Sequence, residues 1–149
     1  MKNEKSYQKN LLTIAGIGIQ CYDGDVLPIT KAKIGSPSAI TFDKNNNLYF
    51  SYTTFHVIRK IDSQGIITTI LGSGKAGFSP DGTYCDNAIL DTPWNLAISK
   101  DNKIFISYSK NHLARTISES NTINSIAGNE KSLKKIRNNQ TSRFMFIQQ

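Results

Sequence analysis

Two cysteines and two histidines are all that 149 residues contain, and that scarcity excludes a good deal. Cys21 and Cys85 have no metal-type spacing and are too few for a disulfide framework, so they read as free thiols of a reducing compartment. A zinc centre needs three or four close ligands, and His56 and His112 have no further histidine to join them. No apolar run approaches the length of a membrane span. The first ten residues are polar and basic and lead into no apolar signal core. A membrane or secretory role is therefore not expected, and the cytoplasm is favoured without a fixed assignment. No Ser-His-Asp, Cys-His or paired-carboxylate arrangement is visible. Gly16-Ile17-Gly18 and Gly72-Ser73-Gly74 follow strand-like runs but open no periodic helix and precede no Lys-Ser/Thr pair. They suit a positive-φ exit from a strand rather than a phosphate loop.

Net positive charge is small in the repeat body. The net charge is +7, but six of those charges lie in residues 1–10 and 129–149. A nucleic-acid face needs its lysines and arginines on the folded body, so nucleic acid is not the favoured partner. The two ends, a polar leader over 1–10 and a basic tail over 129–149, are expected to pack loosely.

What the sequence does have is a repeat. Thr13-Ile14-Ala15-Gly16 returns as Thr69-Ile70-Leu71-Gly72 and as Ser125-Ile126-Ala127-Gly128, each step being 56 residues without a gap. Asp25 and Asp81, Pro37 and Pro93, Ser51-Tyr52 and Ser107-Tyr108, His56 and His112, and Arg59 and Arg115 keep the same step. A fixed period of this size indicates units that bury their apolar faces against one another. Within a unit the apolar runs have strand length and alternation. Ser38 to Asp43, Leu48 to Tyr52, Val57 to Asp62 and Ile66 to Leu71 form the first set. Trp94 to Ser99, Ile104 to Tyr108, Leu113 to Ser118 and Thr122 to Ala127 form the second. Asparagine- and glycine-bearing turns separate them.

Four antiparallel strands in a meander, repeated at a fixed step, are the blades of a β-propeller. The fold expected is thus all-β: an incomplete propeller of two four-stranded antiparallel blades over residues 11–128, preceded by an orphan strand at Leu11 to Ala15. The long loops Gly16 to Ser36 and Gly72 to Thr92 should each contain a short turn, at Thr30 to Ile34 and at Asp86 to Leu90, with Asp86 as N-cap.

The charged residues that repeat read as structural. Alternation places Val57, Arg59 and Ile61 on one face, as it does Leu113, Arg115 and Ile117. An arginine among apolar neighbours is expected to be buried and to reach a carboxylate or carbonyl oxygens. Asp25 and Asp81 are expected to accept from loop backbone amides. His56 and His112, each just before a third strand, are expected to bond across a turn.

These residues resemble the NHL-repeat family. Asn111-His112-Leu113 spells the tripeptide that gives the repeat its name. Asn47-Leu48-Tyr49-Phe50, Ile58-Arg59-Lys60-Ile61-Asp62 and Gly65 to Gly72 match its successive strands. Tyr22-Asp23-Gly24-Asp25 is similar to the segment that precedes a blade in such proteins. Two departures stand out: Tyr52 and Tyr108 occupy a position usually held by Asp, and Phe55 replaces the Asn of the tripeptide.

The resemblance implies a propeller, six-bladed in most members, used as a binding platform for proteins or RNA. A non-enzymatic binding or scaffold module, part of a larger propeller protein, is the resulting expectation. No catalytic, cofactor-binding or metal-ligating residue is assigned, and a protein partner is expected whose identity the sequence does not give. A single-stranded RNA-binding module is the alternative, and a metal-dependent propeller lyase or lactonase comes after it. Because two blades cannot close a ring, the chain is expected either to be a piece of a longer protein or to assemble in several copies, three of them giving six blades. The terminal blades should then show apolar faces, with Ile40, Phe42, Phe50 and Ile61 of the first unit and Leu96, Ile98, Ile106 and Ile117 of the second available for such packing.

Overall fold

One turn design, used four times, sets the shape of both repeats. Asp43, Asp62, Ser99 and Ser118 each close a strand, and each accepts on its side chain the amide four residues on, at 2.9, 2.9, 3.1 and 3.2 Å. The residue three places on, Asn46, Gly65, Asn102 or Asn121, takes φ near +60 to +75°, a conformation that Asn and Gly adopt at low cost. The computed structural model describes residues 12–22 and 25–128. The expectations for the leader over 1–10 and the tail over 129–149 lie outside those residues.

The strands are β1 (Leu27–Pro28), β2 (Pro37–Phe42), β3 (Leu48–Tyr52), β4 (Val57–Ile61), β5 (Ile66–Leu71), β6 (Pro93–Ile98), β7 (Ile104–Tyr108), β8 (Leu113–Ile117) and β9 (Ile123–Ala127). They form a five-stranded sheet, β1-β5-β4-β3-β2, and a four-stranded sheet, β6-β7-β8-β9, antiparallel throughout. The two meanders are the blades of the propeller, with a register bulge between Pro37 and Ala39 in one and between Pro93 and Asn95 in the other.

The extra strand is not where the sequence placed it. Residues 12–15 pair with no strand. Instead β1, from the loop before the first blade, covers the outer edge of β5. The same device returns in the second blade as a single bridge from Tyr84 to Thr122.

The turn in the second loop is a 3-10 turn at Cys85–Asn87 whose N-cap is Tyr84, not Asp86, and no side chain caps it. Asp86 instead supplies negative charge inside that first turn. The corresponding turn in the first loop falls at Ile29 to Lys31, where the amides of Lys31 and Ala32 bond back to the Pro28 carbonyl at 2.9 and 3.2 Å.

The two faces of the first blade are covered differently, one by the second blade and one by the loop that precedes it. Opposed residues in an antiparallel sheet share a face, so Ile40, Phe50, Arg59 and Thr69 form one cross-strand row. Leu96, Ile106, Arg115 and Ser125 form its repeat. The interblade core joins Tyr49, Ile58 and Leu71 of the first blade to Leu96, Ile106, Tyr108 and Ile123 of the second, with the loop residues Cys85, Ala88 and Leu90. A second core lies on the other face of the first blade, around Phe50, Tyr52, Val57, Ile61 and Ile67. Ala15, Tyr22, Leu27, Ile29 and Ile34 from the preceding loop pack over it.

This placement corrects the expected exposed faces. Leu96 and Ile106 are buried against the first blade, with Ile98 and Ile117 packed on the same cluster. Phe50 and Ile61 are buried beneath the first loop. Of the eight positions only Ile40 and Phe42 stand open. The sequence pattern identified the apolar rows, but which face of each row is covered depends on chain tens of residues away.

At the blade ends, Gly72 (φ +107°) and Gly128 (φ +81°) pass so close to the carbonyl oxygens of His56 and His112 that a Cβ would overlap them. This is why the strand exit returns as glycine at each repeat.

Candidate functional site

Arg59 and Arg115 sit in β4 and β8 with no exposed side-chain surface worth counting. The Nη2 of Arg59 donates to Asp25 Oδ1 at 3.0 Å. That same oxygen accepts the Thr69 amide at 2.7 Å and the Thr69 hydroxyl at 2.9 Å. In the second blade Arg115 Nη2 donates to Asp81 Oδ1 at 2.9 Å, and Asp81 Oδ1 accepts the Ser125 amide at 2.9 Å and its hydroxyl at 2.8 Å. Arg115 also donates to the Ser79 carbonyl at 2.6 Å and, through Nε, to Ser125 Oγ at 3.3 Å. One carboxylate oxygen thus ties the incoming loop to the third and fourth strands of the blade it precedes.

An aromatic ring completes each cluster. The guanidinium of Arg59 lies 5.3 Å from the Tyr22 ring centroid and 6.0 Å from that of Tyr52. Arg115 lies 5.0 Å from the centroid of Phe78, within the range of cation–π attraction. Tyr22 additionally shares a hydrogen bond with Thr69 at 3.0 Å. In the sequence Tyr22, Thr69 and Ser125 stand in recurring motifs, but nothing there pairs them, or Phe78 and the Ser79 carbonyl, with the arginines and aspartates. Their signal was present all the same: an aromatic and a hydroxyl residue recur at the repeat step.

For Asp81, burial works to raise the carboxyl pKa, but the Ser125 amide and hydroxyl and the Arg115 guanidinium outweigh it. The pKa is held below the ordinary value of 3.8. Asp43 behaves alike: burial opposes, while Asn47, the Asn45 amide and the Tyr49 hydroxyl lower it. Burial and the neighbouring Asp43 push Tyr49 up to about 12. Burial first, then Asp86, pushes the Cys85 thiol up to about 11.

The histidines occupy the left-handed region, φ +56° at His56 and +52° at His112. His56 Nδ1 accepts the amide of Thr92 at 3.2 Å, bonding the first blade to the loop that enters the second. His112 is exposed. Among the described residues no group of three or more His, Cys, Asp or Glu side chains is placed to hold a metal.

The departures from the NHL pattern are used in packing. Phe55 stacks on Tyr22 at 5.8 Å and meets Tyr52 edge-on at 6.0 Å. Tyr52 meets Phe50 at 5.0 Å, so an aromatic cluster surrounds Arg59. Asn111, at the position of Phe55, instead donates to the Gly77 carbonyl at 3.2 Å. Tyr108 lies buried beside Arg115 and Cys85, and burial raises its pKa.

Exposed apolar side chains remain on both blades, Ile40 and Phe42 on the first and Trp94 and Ile126 on the second. Ile14, Ile34, Pro37, Ile40, Leu48 and Phe50 line an apolar groove of about 160 Å³. A shallow hollow of about 160 Å³ marks the far face of the second blade, among Asn95, Ala97, Phe105, Ser107 and Ala114. No helix among the described residues is long and apolar enough to cross a membrane.

Comparison with known proteins agrees with this architecture. The chain is 36% identical to chicken (Gallus gallus) Teneurin-1 over 138 residues and 35% identical to human (Homo sapiens) Teneurin-4 over 137 residues. Both alignments cover 83% of this chain and 5% of the relative, so the chain spans a small fraction of their length. Among solved structures, a protein of unknown function from Bacteroides thetaiotaomicron superposes with a TM-score of 0.60 at 22% identity, over 68% of this chain and 26% of the other. That likeness speaks for the fold alone. The family model of the teneurin NHL domain matches residues 1–143, taking in both blades and much of the two ends. With repeat step, blade architecture and family match in agreement, the chain belongs to the teneurin NHL-domain family.

Proposed function

We propose that the chain serves as a non-enzymatic propeller module, a binding or scaffold surface within a larger protein. One observation carries this reading. The charged residues that recur, Arg59 with Asp25 and Arg115 with Asp81, make the same loop-to-blade bonds in both repeats. A group committed to holding its own fold in every repeat is not available to a substrate in one of them. The 5% share of the teneurin relatives that the chain covers supports its belonging to a larger assembly of domains.

Purified chain incubated with lactone and ester substrates, with and without added zinc or calcium, tests the reading. No turnover above the buffer blank is expected. Saturable turnover abolished by a chelator would replace it with the metal-dependent enzyme reading. Binding to single-stranded RNA that weakens steeply with salt would replace it with the RNA-binding alternative.

A further inference from the structure

The Thr92 amide donates to His56 Nδ1 at 3.2 Å, and this bond ties the first blade to the residue that leads into β6. A ring nitrogen that accepts carries no proton, so His56 is neutral here, with its proton on Nε2. Both ends of the bond stand on constrained backbone. His56 and Thr92 lie in the left-handed region, at φ +56° and +54°. For a β-branched residue such as Thr92 that conformation is strained, and it persists only where the surroundings hold it. Gly72 passes against the His56 carbonyl oxygen, which fixes the backbone that carries the ring.

A carboxylate lies beside the same nitrogen. Asp91 Oδ1 is 4.0 Å from His56 Nδ1, accepts the Thr92 hydroxyl at 2.8 Å, and faces Lys110 Nζ at 3.9 Å. Asp91, from the loop before β6, and Lys110, from the turn between β7 and β8, are the charged groups around the ring among the described residues. The side chains of His56 and Asp91 are each less than a quarter exposed, so solvent screens their attraction less than at an open surface. The repeat does not require this pair: Gly35 stands at the position equivalent to Asp91, and Thr54 at that of Lys110. The carboxylate and its lysine belong to this seam alone.

One ring nitrogen cannot serve both partners. Imidazole is the side chain that ordinarily changes charge between about pH 5 and 8. Once Nδ1 takes a proton it can only donate, so the Thr92 N–H loses its acceptor while Asp91 gains a cation. The neighbouring bonds across the seam, from Ser51 Oγ to the Trp94 carbonyl and from Thr53 Oγ1 to the Pro93 carbonyl, use groups that do not titrate in this range. We infer that His56 is a pH-sensitive latch between the blades: neutral, it holds the Thr92 amide, and protonated, it turns to Asp91 and frees residue 92 to leave its strained conformation. Mild acid thus loosens the entry to β6 and leaves the Ser51 and Thr53 bonds in place. The latch sits in the seam between the two blades, so it is the same whatever adjoins their outer faces.

Nuclear magnetic resonance of the whole chain from pH 8 to pH 5 tests it. The His56 ring and the Thr92 amide should titrate together with one midpoint. Protection of the Thr92 amide from hydrogen exchange, corrected for the intrinsic pH dependence, should fall by about tenfold, the worth of one hydrogen bond. The Ile58 amide, inside β4, should keep its protection. His56→Gln should abolish the Thr92 titration. Asp91→Asn removes the carboxylate that favours the charged ring, so it should move the shared midpoint to lower pH and leave Thr92 bonded at pH 8. A Thr92 amide whose shift and exchange stay flat while the His56 ring titrates overturns the inference, as does a ring that remains neutral down to pH 5. A Thr92 transition that survives His56→Gln overturns it too, and should that variant fail to fold, the wild-type and Asp91→Asn titrations decide.

Discussion

The Arg115 guanidinium sits 2.9 Å from Asp81, and Arg59 sits 3.0 Å from Asp25, the members of each pair lying 34 positions apart in the chain. Each arginine is fully covered while its aspartate remains partly in water. The pair therefore acts as a peg, a buried cation whose outer end is held by a carboxylate at the rim. Because the aspartate comes from the loop before the blade, the bond fixes how the loop wraps the outer edge before it enters the innermost strand.

Removing the peg should be costly. Arg59→Ala or Arg115→Ala is expected to lower stability by about 2–4 kcal/mol, from lost charge-assisted bonds and an emptied site. Arg→Lys should recover only part of this, since a lysine lacks the planar fork and the stacking on Tyr22 or Phe78. Urea midpoints of the four variants measure it, and a change within error for both alanine variants would contradict a structural role.

Acid should release the same bond. The Asp81 carboxyl is held below the ordinary 3.8 in the folded chain, so the unfolded chain binds more protons in that range. Its contribution is present in full above the ordinary value and is lost as pH falls through the folded value. Stability followed from neutral pH to about pH 3 should decline on the acid side, and Asp81→Asn should flatten part of that decline while lowering stability at neutral pH.

Val26 has φ +65° and is 73% exposed, whereas its equivalent in the second repeat is Gly82 at φ +84°. A β-branched residue in the left-handed region is strained, and little apolar burial offsets it here. Val26→Gly should stabilise the chain by about 1 kcal/mol and Gly82→Val should destabilise it by a similar amount or more. Thermal melts of the two variants should move in opposite directions.

Cys85 lies wholly buried in the interblade core, and its thiol is pushed up to about 11, while Cys21 is half-buried in the first loop. Alkylation at mildly basic pH should therefore modify Cys21 first, with Cys85 reacting only as the blades part. Mass spectrometry of timed samples distinguishes the two sites, and equal rates would show that the interface opens freely.

Much of this molecule was legible in its sequence, for reasons that are local. Alternation placed β3, β5 and β7 with their observed ends, because facing one side of a sheet requires apolar residues at every second position. The turns were legible because Asn46, Gly65, Asn102 and Asn121 suit a positive φ that most residues resist. The arginines and aspartates were visible as separate recurrences, each with a polar duty. That Asp25 belongs to Arg59 and to the Thr69 amide was not visible, since nothing local relates a loop to a strand 34 residues away. The position of the extra strand followed the same rule: Leu27–Pro28 pairs with β5 because that edge lies open in space, not because its composition marks it as a strand. The sequence by itself determined the repeat, the strands and the chemistry of the turns, all of which depend on neighbours in the chain. Only the tertiary structure decided which of two equivalent apolar rows is covered, burying Leu96 and leaving Ile40 open, because burial depends on what the rest of the chain brings to each face.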